Sequence, residues 1–388
     1  MNPDLQYLYE ISNLSERKII GLMSGTSLDG LDIALCTIKG SGRSVSVHVD
    51  AFSTYNYTAQ IRNDIRQVFS KKDGMLEDVC QLNKSIAELH ADMVLSALKN
   101  WDVKTESIHL IASHGQTIFH SPQINSNNST LQIGDGDHLA FKTGIITISD
   151  FRQKHIAAGG EGAPLALYGD YLLTGNETED VVWLNIGGIA NLTFISGRKQ
   201  KIISTDAGPG NTLMDVWMRK YYQEPMDGNG MIASSGIADE MLLEQLCQHT
   251  WFSQPISKTC GPENFNIDYV EKTLNNTTGA ISHQDVMATL NQLTSKCIAD
   301  VINGLTTDTF KLFISGGGLH NKQLIENIRI MLPSAQVQSA FPFRINPDAK
   351  EAVLFALLAN EMVAGTPEVW LNAGIFPAVS FGKISSPH

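Results

Sequence analysis

Four short glycine-bearing stretches carry residue types suited to holding a phosphorylated ligand. The first is Gly21-Leu-Met-Ser-Gly-Thr-Ser-Leu-Asp-Gly-Leu-Asp32, where glycine lets backbone N–H groups come close to a phosphate tail. Within it Gly25, Leu28, Gly30 and Leu31 offer backbone, and Thr26 and Ser27 add hydroxyl donors. Asp29 and Asp32 are carboxylates suited to magnesium held mainly through water. No Gly-Lys-Ser/Thr follows, so this is not the Walker pattern. The second stretch, Asn185-Ile-Gly-Gly-Ile-Ala-Asn191, sets Gly187 and Gly188 between apolar strands. The third, Asp206-Ala-Gly-Pro-Gly-Asn-Thr-Leu-Met-Asp215, puts Gly208, Gly210 and Asn211 just ahead of a helix, whose N-terminus favours anions. The fourth, Ile314-Ser-Gly-Gly-Gly-Leu-His-Asn321, sets Gly316, Gly317 and Gly318 between a strand and a helix, where a flat ring or a ribose could lie on the backbone. Each alone reads equally as a tight turn. Four in this order and at these spacings are hard to explain as turns.

The elements that must position these loops follow from periodicity. Residues 18–25 and 31–38 alternate as two strands of a hairpin marked by Asp29-Gly30, with a third strand at 44–52. Residues 59–69 and 79–99 read as helices, and 108–113 and 145–149 as short buried strands. A second strand, glycine turn and strand run from Val181 to Ile195, echoing the first hairpin in architecture rather than in sequence. Helices are expected over 212–222, 237–248, 266–274, 282–305, 321–332 and 349–364, with a strand at 310–315. The repetition implies a duplicated α/β domain, and the tail from Trp370 suits a closing strand. The opening residues 1–17 read as a short leader or surface helix.

Composition narrows the function. A chain of 388 residues suggests two domains, and 43% hydrophobic with 18% charged residues is ordinary for a soluble globular protein. The formal net charge of −12 disfavours nucleic acid and anionic membranes as partners. The five cysteines, Cys36, Cys80, Cys247, Cys260 and Cys297, are odd in number and widely spaced, which favours reduced thiols over a disulfide framework. With neither a signal-like nor a membrane-length apolar run, a cytoplasmic protein is expected. No His/Cys/Asp grouping has zinc spacing.

The four glycine loops in this order resemble the layout of the acetate kinase, sugar kinase, heat-shock protein and actin superfamily. The wording of several stretches is more specific. Gly21–Asp32, Ala112-Ser-His-Gly-Gln-Thr117, Leu131-Gln-Ile-Gly134, Asp150-Phe-Arg152, Ala157-Ala-Gly-Gly-Glu-Gly-Ala-Pro-Leu165, Leu184–Asn191, Asp206–Asp215 and Asp348-Ala-Lys-Glu-Ala352 are similar to the anhydro-N-acetylmuramic acid kinases. The resemblance runs from Lys18 to Lys383. It implies two actin-like (ribonuclease H-like) α/β lobes with a central nucleotide cleft. Lobe I would span 18–150 and take back about 365–388, and lobe II would span 151–364. It also implies ATP and Mg2+ as cofactors and a small anhydrosugar as substrate. Water would be added to the 1,6-anhydro bond while the freed O6 is phosphorylated, as in peptidoglycan recycling. A homodimer is an open expectation. On this reading His114 and Gln116, taken to sit on a strand-end turn, Gln132, Arg152 and Glu351 contact the sugar, with Arg152 holding its lactyl carboxylate or a phosphate. The ordinary alternatives are a satisfied core histidine for His114, an ion pair for Arg152 and a helix-dipole acid for Glu351.

The chain departs from the family where the water must be activated. The family's catalytic aspartate, three residues after the Arg of Asp-Phe-Arg, is replaced by His155. Asp170 stands where the family carries a histidine, and Glu161 where it usually has glutamine. Three readings follow: His155 is the base and Asp170 orients it, Asp170 is the base, or ring opening is altered. The third leaves a kinase for another anhydrosugar such as levoglucosan, or a non-catalytic nucleotide-binding homologue.

Overall fold

A computed structural model describes residues 2–388 except 26–27, 72, 122–127, 176, 198–200, 262–263, 278, 339–341 and 343–344. Thr26 and Ser27 therefore lie outside the described residues. In chain order the strands are β1 (Glu16–Ser24), β2 (Gly30–Lys39), β3 (Ser46–Asn56), β4 (Leu110–Ser121), β5 (Ser129–Ile133), β6 (Thr147–Ser149), β7 (Asp180–Ile186), β8 (Ile189–Ile195), β9 (Ile202–Pro209), β10 (Phe310–Ser315), β11 (Ala335–Val337) and β12 (Lys383–Ser385). The helices are α1 (Pro3–Asn13), α2 (Ala59–Val68), α3 (Leu76–Asn100), α4 (Gly136–Thr143), α5 (Phe151–Ala157), α6 (Ala166–Thr174), α7 (Thr212–Tyr221), α8 (Met231–Ser235), α9 (Glu240–Cys247), α10 (Ile267–Asn275), α11 (His283–Leu305), α12 (Lys322–Met331), α13 (Lys350–Ala364) and α14 (Glu368–Asn372). Among the described residues no helix is long and apolar enough to cross a membrane. The cysteines are free thiols.

Backbone proximity divides the chain into two units: Met1–Asn176 with Pro342–His388, and Glu177–Phe341. Each is built on the same sheet plan. In the first, β1, β2 and β3 form an antiparallel meander, β4 runs parallel beside β1, β6 parallel beside β4, and β12 closes the edge antiparallel to β6. In the second, β7, β8 and β9 form the meander, β10 lies parallel to β7, and β11 parallel to β10. Leaving aside β5, which pairs antiparallel with the far end of β4, and the closing β12, both sheets read 3-2-1-4-5 within their unit, the ribonuclease H-like order. The parallel neighbours are reached through helical crossovers, α2–α3 in one unit and α7–α11 in the other, as parallel pairing requires.

The expected boundaries at 150 and 364 move. Ten consecutive residues of α13, Ala352 to Glu361, are buried, and a helix apolar on every side belongs inside a core. That core is the first unit's: a Cβ on Gly21 of β1 would stand 1.9 Å from the Ala352 carbonyl oxygen, so only glycine lets α13 lie this close. Helix α6 packs on α13 in turn, where a Cβ on Gly169 would meet Leu354 Cδ1 at 2.5 Å. Both helices, assigned by the sequence reading to the second lobe, are thereby tied to the first unit. The tail also lies there, since Lys383 pairs with Ser149 and bonds to Asp150.

Candidate functional site

In the second unit three of the four glycine loops are welded together. The β7–β8 turn is clamped by the segment leading from β9 into α7: Asn211 N–H donates to the Gly187 carbonyl (2.8 Å), and Gly210 N–H and Thr212 Oγ1 to the Gly188 carbonyl (both 2.8 Å). The Asn211 side-chain amide donates to the Ile186 and Gly187 carbonyls at 3.2 and 3.0 Å. The loop after β10 closes over the same strand end. A Cβ on Gly318 would stand 2.3 Å from Ile186 Cγ2, and one on Gly316, at φ +82°, would lie 2.7 Å from both Asn185 Oδ1 and the Ile186 carbonyl.

The glycines fall into two kinds. Cβ atoms on Gly210 and Gly188 would collide with the Gly187 carbonyl (2.4 Å) and Thr212 Oγ1 (2.8 Å), and one on Gly208 would be hemmed in by Cys297 and Phe252 at 3.2 and 3.3 Å. These three serve protein packing. At Gly187 and Gly317 a Cβ would instead find its nearest neighbours at 3.7 and 3.8 Å. Bare backbone with room over it is what a ligand needs in order to approach.

In the first unit the β1–β2 corner is held from below by a buried polar network. Ser24 Oγ reaches Gln116 Oε1 (2.6 Å), the Gly30 carbonyl (2.9 Å) and Tyr57 OH (2.8 Å), and Tyr57 OH reaches His90 Nε2 (2.6 Å). Gln116 spends both amide protons on the Gly25 and Thr117 carbonyls, each at 3.0 Å. Both ends of the corner are thus pinned. Leu28 sits at φ +58° with its side chain buried beside Tyr57 and Ile65. Gly30 and Leu31 already belong to β2, paired with Asn56 and Tyr55, so their part in any ligand site is confined to the strand end.

Around this corner lie the ionisable groups. Asp32 accepts from Thr54 Oγ1 (2.5 Å); burial, and then Asp29 and Asp348 nearby, hold its carboxyl above the usual aspartate range. Gathered carboxylates of this kind suit a cation. Among the described residues, however, no three His, Cys, Asp or Glu side chains converge closely enough to form a metal cage. Glu351, in the first turn of α13, has an exposed side chain whose carboxylate accepts no hydrogen bond among the described residues. Crowding by protein raises its pKa. Lys350 and Arg152 oppose the rise, and Asp32 and Asp170 add to it.

Arg152 is held by two groups. Its Nε donates to His114 Nε2 (2.9 Å) and its Nη1 to the Gly162 carbonyl (3.1 Å). His114 Nδ1 donates to the Gly115 and Ser24 carbonyls at 2.9 and 3.3 Å. Burial and the adjacent Arg152 bring its imidazole down to about 3, and burial lowers Arg152 to about 10. Gln132 donates to Thr130 and Thr117 hydroxyls at 2.8 and 3.2 Å, while its Oε1 is left without a partner.

The sequence expectations need three corrections here. His114 and Gln116 lie within β4, not on a turn after it, and are 2% and 0% exposed with their polar atoms engaged. They position Arg152 and the β1–β2 corner; neither has an atom to spare for a sugar. His155 and Asp170 are not brought together. Asp170, 2% exposed, pairs with Lys350 Nζ at 2.7 Å, and the His155 ring accepts from Gly162 N–H at 2.9 Å. Because an amide proton occupies Nδ1, the ring's own proton sits on Nε2, and no lone pair remains to take a proton from water. Sequence reading also missed Lys350 as a partner and the backbone of Gly162 as a hub. Neither carries a signal beyond its place inside a quoted motif.

Two units of one ribonuclease H-like order, each opening on a glycine-cornered hairpin, define a two-lobed protein of the actin-like class. Within that class the chain belongs to the anhydro-N-acetylmuramic acid kinase family, whose profile it matches over residues 17–385. It is 45% identical over 402 residues to the anhydro-N-acetylmuramic acid kinase of Pseudoalteromonas atlantica, covering 100% of both chains. It is also 45% identical over 398 residues to that of Pseudoalteromonas translucida (99% of each chain). To that of Caldanaerobacter subterraneus it is 36% identical over 392 residues (97% of this chain, 99% of the relative).

Proposed function

We propose that this chain is an ATP-dependent kinase that opens the 1,6-anhydro ring of anhydro-N-acetylmuramic acid and phosphorylates the freed O6. What supports the reading above all is similarity to kinases of that name along their whole length. It is supported further by a glycine-loop cluster with open backbone at Gly187 and Gly317. In the second unit Gly187 and Gly317 present open backbone to the nucleotide, and Gly188, Gly210, Asn211, Gly316 and Gly318 pack the loops that hold them in place. In the first unit Gly25 to Asp32 serve the phosphates, and Asp29 and Asp32 would hold Mg2+ largely through water, which neutralises phosphate charge when bound. Arg152 fixes the sugar's lactyl carboxylate, Gln132 Oε1 accepts from a sugar N–H or O–H, and Glu351 faces the reacting end. A water oxygen bonds to the anomeric carbon as the bond from that carbon to O6 breaks. O6 takes the γ-phosphoryl group, ADP leaves, and the water's proton passes to Glu351, an accessible carboxylate with no hydrogen bond to lose among the described residues. Asp170 and His155 support this set without touching the water.

The test is ADP release by the purified chain with ATP, magnesium and anhydro-N-acetylmuramic acid, against levoglucosan and no sugar. Sugar-dependent release, with product carrying one phosphate and one added water, is expected; its absence with every sugar would overturn the reading. The glycines give a second check. Gly187→Ala leaves the melting temperature unchanged yet weakens ATP binding by about 1–3 kcal/mol, because the methyl enters ligand space. Gly210→Ala lowers stability by about the same 1–3 kcal/mol, because the methyl meets the Gly187 carbonyl. Thermal melts and nucleotide titration separate the two.

A further inference from the structure

His155 occupies a position where the resemblance calls for a catalytic carboxylate, yet its surroundings are those of a structural anchor. The side chain is 5% exposed, lies face to face with Phe381 (centroids 6.2 Å apart, planes 22° apart) and meets the edge of Tyr168 at 6.0 Å. The turn from Gly159 to Gly162 wraps the ring so tightly that a Cβ on Gly160 would stand 2.2 Å from both Cε1 and Nδ1. At the end of that turn Gly162 receives two bonds in opposite senses. Its N–H donates to His155 Nδ1, and its carbonyl accepts from Arg152 Nη1. Arg152 continues to His114, and His114 to the Ser24 and Gly115 carbonyls at the phosphate corner.

We propose that His155 is a positioning residue that sets the guanidinium of Arg152, and through it the sugar's carboxylate, by holding the Gly162 backbone in place. The Gly162 N–H and carbonyl lie in two planar peptide units that meet at its Cα, so anchoring the first unit leaves only the φ and ψ of Gly162, with φ at +85°, to set where the carbonyl points. Without an acceptor at Nδ1, this backbone can turn, and Arg152 loses one of its two holds. The neutral ring suits this duty, since a protonated imidazole could not accept from Gly162 and would face Arg152 as a like charge; burial and Arg152 keep the ring neutral down to about pH 4.

The inference rests on the kinase reading for its substrate readout, but not for its structural one. Asparagine places an oxygen acceptor where Nδ1 now stands and has no basic nitrogen; leucine fills similar space with no acceptor. His155→Asn should keep kcat/KM for anhydro-N-acetylmuramic acid within about threefold of wild type, whereas His155→Leu should lose roughly 10- to 100-fold with KM for ATP unchanged. The loss should shrink on 1,6-anhydro-N-acetylglucosamine, which has no carboxylate for Arg152 to hold. Hydrogen exchange at the Gly162 amide, read on the ligand-free chain, should be slow in wild type and His155→Asn and fast in His155→Leu. If His155→Asn falls as far as His155→Leu and the acidic limb of the pH–rate profile disappears, the imidazole is itself the base and the proposal is wrong. It is equally wrong if exchange at Gly162 is the same in all three proteins. A wild-type chain with no sugar-dependent ADP release, but with the expected exchange pattern, would instead remove the kinase reading and leave the anchor standing.

Discussion

Glu351→Gln should lower turnover of the anhydrosugar by roughly 10²- to 10⁴-fold, the usual contribution of a positioned general base. ATP affinity should be unaffected. The substitution keeps the shape and hydrogen-bonding reach of the side chain and removes only its capacity to take a proton, so a large fall in kcat isolates that capacity. Of the acidic groups gathered in the first unit, Glu351 best combines access to solvent with freedom from partners. Asp170 is buried against Lys350, and Asp32 already accepts from Thr54. Its environment also tunes it toward the task. Protein crowding raises the carboxyl from the ordinary glutamate value of 4.5, which makes it a stronger acceptor at neutral pH. Since the base must be ionised to act, the acidic limb of the wild-type kcat/KM profile should lie above 4.5 and be absent from the variant. A variant that keeps kcat and merely raises KM for the sugar would make Glu351 a contact and place the base elsewhere.

The parts of the molecule visible in the sequence are those whose cause is local. The strand at Phe310–Ser315 and the helices ending at Leu305, Tyr221 and Ala364 follow from apolar periodicity, with Ser282 and Asn321 capping helices where hydroxyl and amide side chains commonly do. Sequence pattern ends strand β4 at 113, because His114, Gly115 and Gln116 look like a turn. The strand continues to Ser121 because Gly115, at φ +75°, bends it while β5 pairs with the remainder. Nothing local predicts that pairing. The same holds for the placement of α13, whose apolar sequence shows that it is buried but not in which unit. The glycine loops are legible as loops. Which glycines face open space, such as Gly187, and which accommodate a neighbour, such as Gly210, depends on chain segments some 20 residues or more away. The exchanged histidine and aspartate are visible as residue types. Their separation is not, because Lys350 and Gly162 intervene through contacts that only the fold makes.

Acidification from pH 7.5 to 5.5 should cost the folded chain about 3 kcal/mol, long before its ordinary carboxylates titrate. Three imidazoles carry most of this, and His109 and His120, also lowered by burial, act in the same direction. Burial holds His90 at about 3, burial and Arg152 hold His114 at about 3, and the same two causes hold His155 at about 4, against an ordinary value of 6.5. The sign follows from proton counting. Below pH 6.5 the unfolded chain takes up protons on these side chains and the folded chain does not, so unfolding is favoured as pH falls. At pH 5.5 each histidine contributes about 1.4 kcal/mol to that loss. Asp206 works in the opposite direction. Burial raises its carboxyl to about 6, so the folded state gains a proton in the same window and recovers less than about 1 kcal/mol. Urea melts across this pH range measure the slope directly. His90→Gln, which retains a polar partner for Tyr57, should remove about 1.4 kcal/mol of the loss, a little under half. A stability that stays flat from pH 7.5 to 5.5 would mean that the three rings protonate as readily in the folded chain as in water. The buried network beneath the β1–β2 corner, together with the His114–Arg152 and His155–Gly162 bonds, would then have to be more open than its distances imply.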